Sequence, residues 1–142
     1  MTYAKDMPTD SERLALAVAR LNRRLRQERQ SDLTPTQLSI LGALRALGPT
    51  TPSSLAAHER VRPPTITRTL NCLAEDGLVE REPHPQDGRQ VVVSLSKLGE
   101  KVLGEERSRR DAWLQTRLKH LGPRERALLR EAAAILTDLS DT

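Results

Sequence analysis

Residues 51–99 read TPSSLAAHERVRPPTITRTLNCLAEDGLVEREPHPQDGRQVVVSLSKLG, and this stretch decides the fold. Thr51-Pro52 opens a helix: a threonine hydroxyl can accept from the free amide N–H groups of a first turn, and proline has no N–H to leave unpaired there. That helix runs through about His58, a break follows at Arg60-Val61-Arg62-Pro63, and a second helix begins at Pro64. Two short helices joined by a tight turn make a helix-turn-helix. After Gly77, Leu78–Glu82 and Val91–Leu95 are β-prone runs enclosing a tip that holds Pro83, Pro85 and Gly88. This is a hairpin, and directly behind a helix-turn-helix it forms a wing. The expected fold class is mainly α with a small β-hairpin wing (α+β).

The second helix is informative face by face. Ile66, Leu70 and Leu73 recur at i, i+4, i+7 and define its core side. Pro64, Thr65, Arg68 and Asn71 fall opposite, with Thr67 and Cys72 flanking, and no acid appears before Glu75. A solvated helix face more often mixes acids and bases at i, i+4. Hydroxyls, an amide and a guanidinium instead suit a nucleic-acid groove. Arg68 would address guanine, Asn71 adenine, and the threonines thymine methyls or phosphate oxygens. Cys72 is expected as a small helix residue beside the core.

Outward from this stretch, Thr34-Pro35-Thr36-Gln37 has the grammar of a capped helix start, and Gly48-Pro49 of a stop. Before it, residues 11–29 carry Leu14, Ala17, Val18, Leu21 and Leu25 at helical spacing, with Asp10 placed to cap. Beyond the wing a long helix is expected from Lys97 to about Leu121, and Gly122-Pro123 separates it from a last one. Three segments follow: an N-terminal helix in 1–32, a winged helix-turn-helix in 33–96, and C-terminal helices in 97–142. Leu14, Leu21 and Leu25 with Leu118, Leu121, Leu128, Ile135 and Leu139 form stripes too regular for water. They are expected to build a dimerisation lobe.

Composition narrows the function classes. Of 142 residues, 19 are Arg and four Lys, the formal charge is +4, and Tyr3 and Trp113 are the only aromatics. Aromatic stacking on unpaired bases is thereby excluded, whereas arginine favours phosphate and guanine in a duplex. The surplus charge lies outside the proposed reading segment, since residues 53–95 hold five basic side chains against six acids. No GxGxxG, P-loop or Gly-x-Ser-x-Gly run occurs, and His58, His84 and His120 are scattered, so neither catalysis nor a cofactor or metal is expected. The N-terminus shows no signal-like apolar run, no segment is apolar enough to span a membrane, and the single cysteine forms no internal disulfide. A cytoplasmic protein is expected.

The run Asp87 to Gly99, DGRQVVVSLSKLG, resembles the wing of the MarR family of transcriptional regulators: an Asp, an Arg two residues on, alternating β residues, then Leu-Ser-x-x-Gly. Leu55-Ala56, Pro64 to Arg68 and Leu73 to Arg81 also match the family's wording. One departure is Gln90, where many relatives carry a second arginine. The resemblance implies a homodimer with a helix in each major groove, each wing in a flanking minor groove, and a pseudo-palindromic double-stranded site. It further implies a repressor of its own or a neighbouring operon (stress, efflux or metabolism genes), released by a small-molecule anion. On that pattern Arg89 is the minor-groove contact and Asp87 its brace across the wing tip. Ser53, Ser54, Arg62, Pro64, Thr65, Thr67, Arg68 and Asn71 complete the expected contacts. The competing expectation is a winged-helix module that binds protein rather than DNA.

Overall fold

The computed structural model describes residues 7–28 and 31–141. Residues 1–6, where no signal-like run is expected, and Arg29, the expected end of the first helix, lie outside the described residues. The described elements run α1 (Asp10–Gln27), α2 (Pro35–Leu47), α3 (Pro52–Glu59), α4 (Pro63–Glu75), β1 (Val79–Pro83), β2 (Val91–Leu95), α5 (Lys97–Leu118) and α6 (Pro123–Ser140). The winged helix-turn-helix is therefore present, with helices before and after it.

Local chemistry sets the helix starts. Thr34 accepts from the Gln37 N–H at 3.1 Å while the Gln37 side chain accepts from the Thr34 N–H at 2.8 Å, a reciprocal capping box. Thr51 caps α3 through the Ser54 N–H. For α1 the cap is Thr9, whose hydroxyl accepts from the Glu12 N–H; Asp10, expected to cap, is instead the first helical residue. There its negative charge still meets the positive end of the helix dipole. The turn of the helix-turn-helix is closed by Arg60, which adopts a left-handed conformation with φ 54°.

The chain divides into two compact units, and the division falls inside α5, after Ser108. The unit that ends there holds the core: Ile40, Leu41 and Leu44 from α2, Leu55 from α3, Ile66, Leu70 and Leu73 from α4, then Leu78, Val79, Val93 and Leu103. Each such aliphatic side chain contributes about 1.5–3 kcal/mol when fully buried. Leu103 is the reason this unit extends past residue 96 into the first half of α5, beyond the expected segment end. Glu106, also buried, accepts from the Ser31 N–H at 3.0 Å.

The hairpin is antiparallel with Val79 opposite Leu95 and Arg81 opposite Val93. Thr50 adds a bridge on the other side of β2, exchanging both backbone hydrogen bonds with Val93. Ser96 seats α5 on the hairpin root. Its hydroxyl donates to the Gly77 carbonyl at 2.6 Å and accepts from the Gly99 N–H at 3.0 Å, and its own N–H donates to the Leu78 carbonyl. Gly99 allows that approach: a Cβ there would overlap the Leu78 carbonyl oxygen and lie 2.8 Å from Leu95 Cδ1. The Leu-Ser-x-x-Gly run is thus a joint built on one hydroxyl and one missing methyl.

In the other unit, α1 and α6 bury no residue at all. Leu14, Leu21, Leu128, Ile135 and Leu139 are exposed, Ile135 to 60% and Leu139 to 57%. Leu25, Leu118 and Leu121 are half-buried. Trp113 of α5 is flanked by the guanidinium groups of Arg24 at 5.0 Å and Arg117 at 5.2 Å from the ring centroid. No described helix is long and apolar enough to cross a membrane.

Candidate nucleic-acid interface

Helix α4 turns Ile66, Leu70 and Leu73 into the core, which leaves Pro64, Thr67, Arg68, Asn71 and Cys72 exposed. Thr65 is half-buried and its carbonyl accepts from the Thr69 hydroxyl at 2.8 Å. Cys72, expected beside the core, is exposed. It precedes Leu73 by one residue, which rotates it by about 100° off the buried stripe. The helix begins at Pro63, one residue before the expected Pro64, and Arg62 at its N-cap is exposed without a side-chain cap. The outer face of α4 carries no acid between Pro63 and Ala74.

Ser53 and Ser54 stand exposed in the first turn of α3, where free N–H groups favour an anion. The Ser54 hydroxyl also accepts from Thr51 at 3.1 Å. Both serines therefore share a helix start with the threonine cap.

The wing tip is closed by groups that a linear reading does not pair. Asp87, expected to brace the Arg89 guanidinium, instead accepts from the Arg89 backbone N–H at 3.1 Å. Two residues of separation in a turn bring the amide to the carboxylate, and the Arg89 side chain is left exposed at the tip. His84 was not among the expected site residues, yet it organises the turn. Its Nδ1 accepts from the N–H groups of both Gln86 and Asp87 at 3.1 Å. An imidazole that accepts at Nδ1 carries its proton on Nε2. The His84 N–H closes on the Gln90 carbonyl at 2.9 Å, and the Gln90 N–H on that of Asp87 at 3.0 Å.

A second unexpected pair joins helix to wing: the Arg81 guanidinium of β1 donates to Asn71 Oδ1 at 2.6 Å. The only sequence hint was an arginine in a strand root ten residues past an asparagine, which without register says nothing. Among the described residues no cluster of His, Cys, Asp or Glu could hold a metal ion.

The family profile for MarR matches residues 33–91, which covers α2 through the first residue of β2. An uncharacterized HTH-type transcriptional regulator of Mycobacterium leprae is 47% identical over 129 residues, 90% of each chain. The chain belongs to the MarR family. Its MarR fold is shared by a solved protein of Pseudomonas aeruginosa assigned as a transcriptional regulator, at 38% identity and TM-score 0.81 over 95% of this chain and 99% of that one. It is shared too by a cysteine-to-serine mutant of MarR from E. coli, at 25% identity and TM-score 0.80 over 94% and 99%. This is a MarR-family HTH-type transcriptional regulator with a winged-helix fold.

Proposed function

We infer that the protein is a homodimeric, sequence-specific double-stranded DNA-binding regulator acting in the cytoplasm. It represses its own or a neighbouring operon and is released by a small-molecule anion. The observation that carries DNA binding is the exposed, acid-free face of α4: Thr67, Arg68 and Asn71 present donors and a guanidinium on a helix held rigid by its buried stripe. Thr65 and Pro64 border that face, and Arg62, Ser53 and Ser54 supply phosphate contacts. Arg89, freed of its own carboxylate neighbour, enters the minor groove from the wing tip, while Asp87 keeps the turn in shape.

Dimerisation rests on α1 and α6. A second copy would cover the apolar stripes of α1 and α6 (Leu14, Leu21, Leu25, Leu128, Ile135 and Leu139), with Leu118 of α5 and Leu121 after it beside them. A two-fold protein asks for a pseudo-palindromic site. The repressor role accords with relatives such as the HTH-type transcriptional repressor IacR of Pseudomonas putida, 32% identical over 48% of this chain.

One observation favours a protein-binding module instead: the five basic and six acidic side chains of residues 53–95. Salt separates the two. In fluorescence anisotropy with duplex fragments from upstream of its own gene, a DNA-binding protein loses affinity steeply between about 50 and 200 mM salt. Binding that is indifferent to salt and to base sequence would refute the proposed function.

A further inference from the structure

Asn71 is exposed on α4, and adenine recognition by an asparagine needs both ends of its carboxamide, Nδ2 donating to N7 and Oδ1 accepting from N6. Here Oδ1 accepts from the charged Arg81 guanidinium at 2.6 Å, at the short end for an N–H···O bond. A guanidinium has only donors, so the amide cannot be flipped against it. The aim of Arg81 is in turn set by register. It lies directly opposite Val93, which is fully buried, and opposed residues of an antiparallel pair share a face. Alternation therefore places Arg81 with Val79 on the helix side of the hairpin and its neighbours Glu80 and Glu82 on the other side.

We propose, on the DNA-binding reading above, that Arg81 is a positioning residue for specificity. It locks the Asn71 carboxamide with its oxygen turned to the wing guanidinium, one of the two lone pairs taken, so that Nδ2 is the end offered to the base edge. Asn71 then reads hydrogen-bond acceptors. Guanine, with N7 and O6, satisfies it best, adenine and thymine offer one acceptor each, and the N4 donor of cytosine is rejected. The wing root thus edits what the recognition helix asks for, without touching the base itself.

The test uses the full chain and a duplex that the wild type binds, with every base pair of one half-site replaced in turn. Asn71→Ala identifies the position at which discrimination flattens. At that position the wild type should favour guanine and disfavour cytosine by about fivefold, the scale of one hydrogen bond. In Arg81→Ala the freed amide can turn, so guanine preference falls and adenine gains, while Arg81→Lys, which still donates, restores part of the ranking. In the Asn71→Ala background, Arg81→Ala should leave base preference unchanged. Thermal unfolding of each variant confirms that the hairpin is intact. If Arg81→Ala keeps the wild-type base ranking and only weakens all sequences alike, with a salt slope lower by about one, Arg81 is a phosphate contact and the inference is overturned. It is overturned equally if Asn71→Ala flattens no position. Failure of the wild type to bind any duplex selectively would instead bring down the DNA-binding reading itself.

Discussion

Gly99→Ala puts one methyl into the joint between the hairpin root and α5, and its cost can be worked from the structure. The new Cβ would overlap the Leu78 carbonyl oxygen and sit 2.8 Å from Leu95 Cδ1 and 3.1 Å from the Leu78 carbonyl carbon. Ordinary carbon–carbon contacts lie near 3.5–4.0 Å, so α5 has to back away by roughly 1 Å. That movement stretches the bonds of Ser96 to Gly77, Gly99 and Leu78, which now stand at 2.6, 3.0 and 3.0 Å. Each is worth about 1 kcal/mol, and forced overpacking costs about 1–3 kcal/mol. Alanine returns up to about 1 kcal/mol of helix propensity, which leaves a net loss of about 2–4 kcal/mol. Gly104→Ala is the internal control: it lies in the same helix, and a Cβ there meets nothing within 4 Å. It should be neutral or stabilising by up to about 1 kcal/mol. Urea unfolding followed by circular dichroism, at one fixed protein concentration, reads both. A Gly99→Ala midpoint within about 1 kcal/mol of wild type, or equal effects at both glycines, would show that close approach is not what glycine supplies at 99.

Other outcomes follow from the same geometry. Arg68→Ala and Arg89→Ala should each weaken duplex binding by about five- to hundredfold in anisotropy, Arg89→Ala most on sites with A·T-rich flanks. Should Arg89→Ala bind such sites as the wild type does, the wing does not reach the minor groove. His84→Ala removes the acceptor of two amides, so hydrogen exchange at Gln86 and Asp87 should quicken while α4 amides stay protected. Unchanged exchange at the tip would mean that the imidazole does not hold it. Ile135→Asp, at a side chain 60% exposed in the single chain, should shift sedimentation toward monomer by at least about tenfold in dissociation constant. An unaltered profile would place the dimer contact elsewhere.

What could be read from the sequence was local. The stripe Ile66, Leu70, Leu73 orients α4 because helical period alone fixes which side chains share a face, and the Thr34–Gln37 box needs only three residues of spacing. The contacts that shape the interface are of another kind. Arg81 reaches Asn71 because of strand register, and Thr50 bridges Val93 across 43 residues of chain; neither pairing is written in any local period. The spacing of Asp87 and Arg89 does not say which of their atoms meet: that depends on the turn's backbone, and the carboxylate accepts from the amide rather than the guanidinium. Cys72 is exposed because its angle on the helix, one residue before Leu73, outweighs cysteine's general liking for burial.

The compact unit that lies between α1 and the later part of α5 has a consequence in time. The two helices that bury nothing alone, α1 and α6, stand at opposite ends of the chain. On a ribosome adding about 5–20 residues per second, α1 emerges first and waits roughly 5–20 s before α6 follows. Residues 31–108 can meanwhile fold around their own core. During that wait Leu14 and Leu21 have no shelter, and Arg13, Arg20, Arg23, Arg24 and Arg26 on the same helix keep it hydrated. With five arginines against two acids, α1 carries a net positive charge beside its apolar stripe, the pattern that favours solubility while the chain is unfinished.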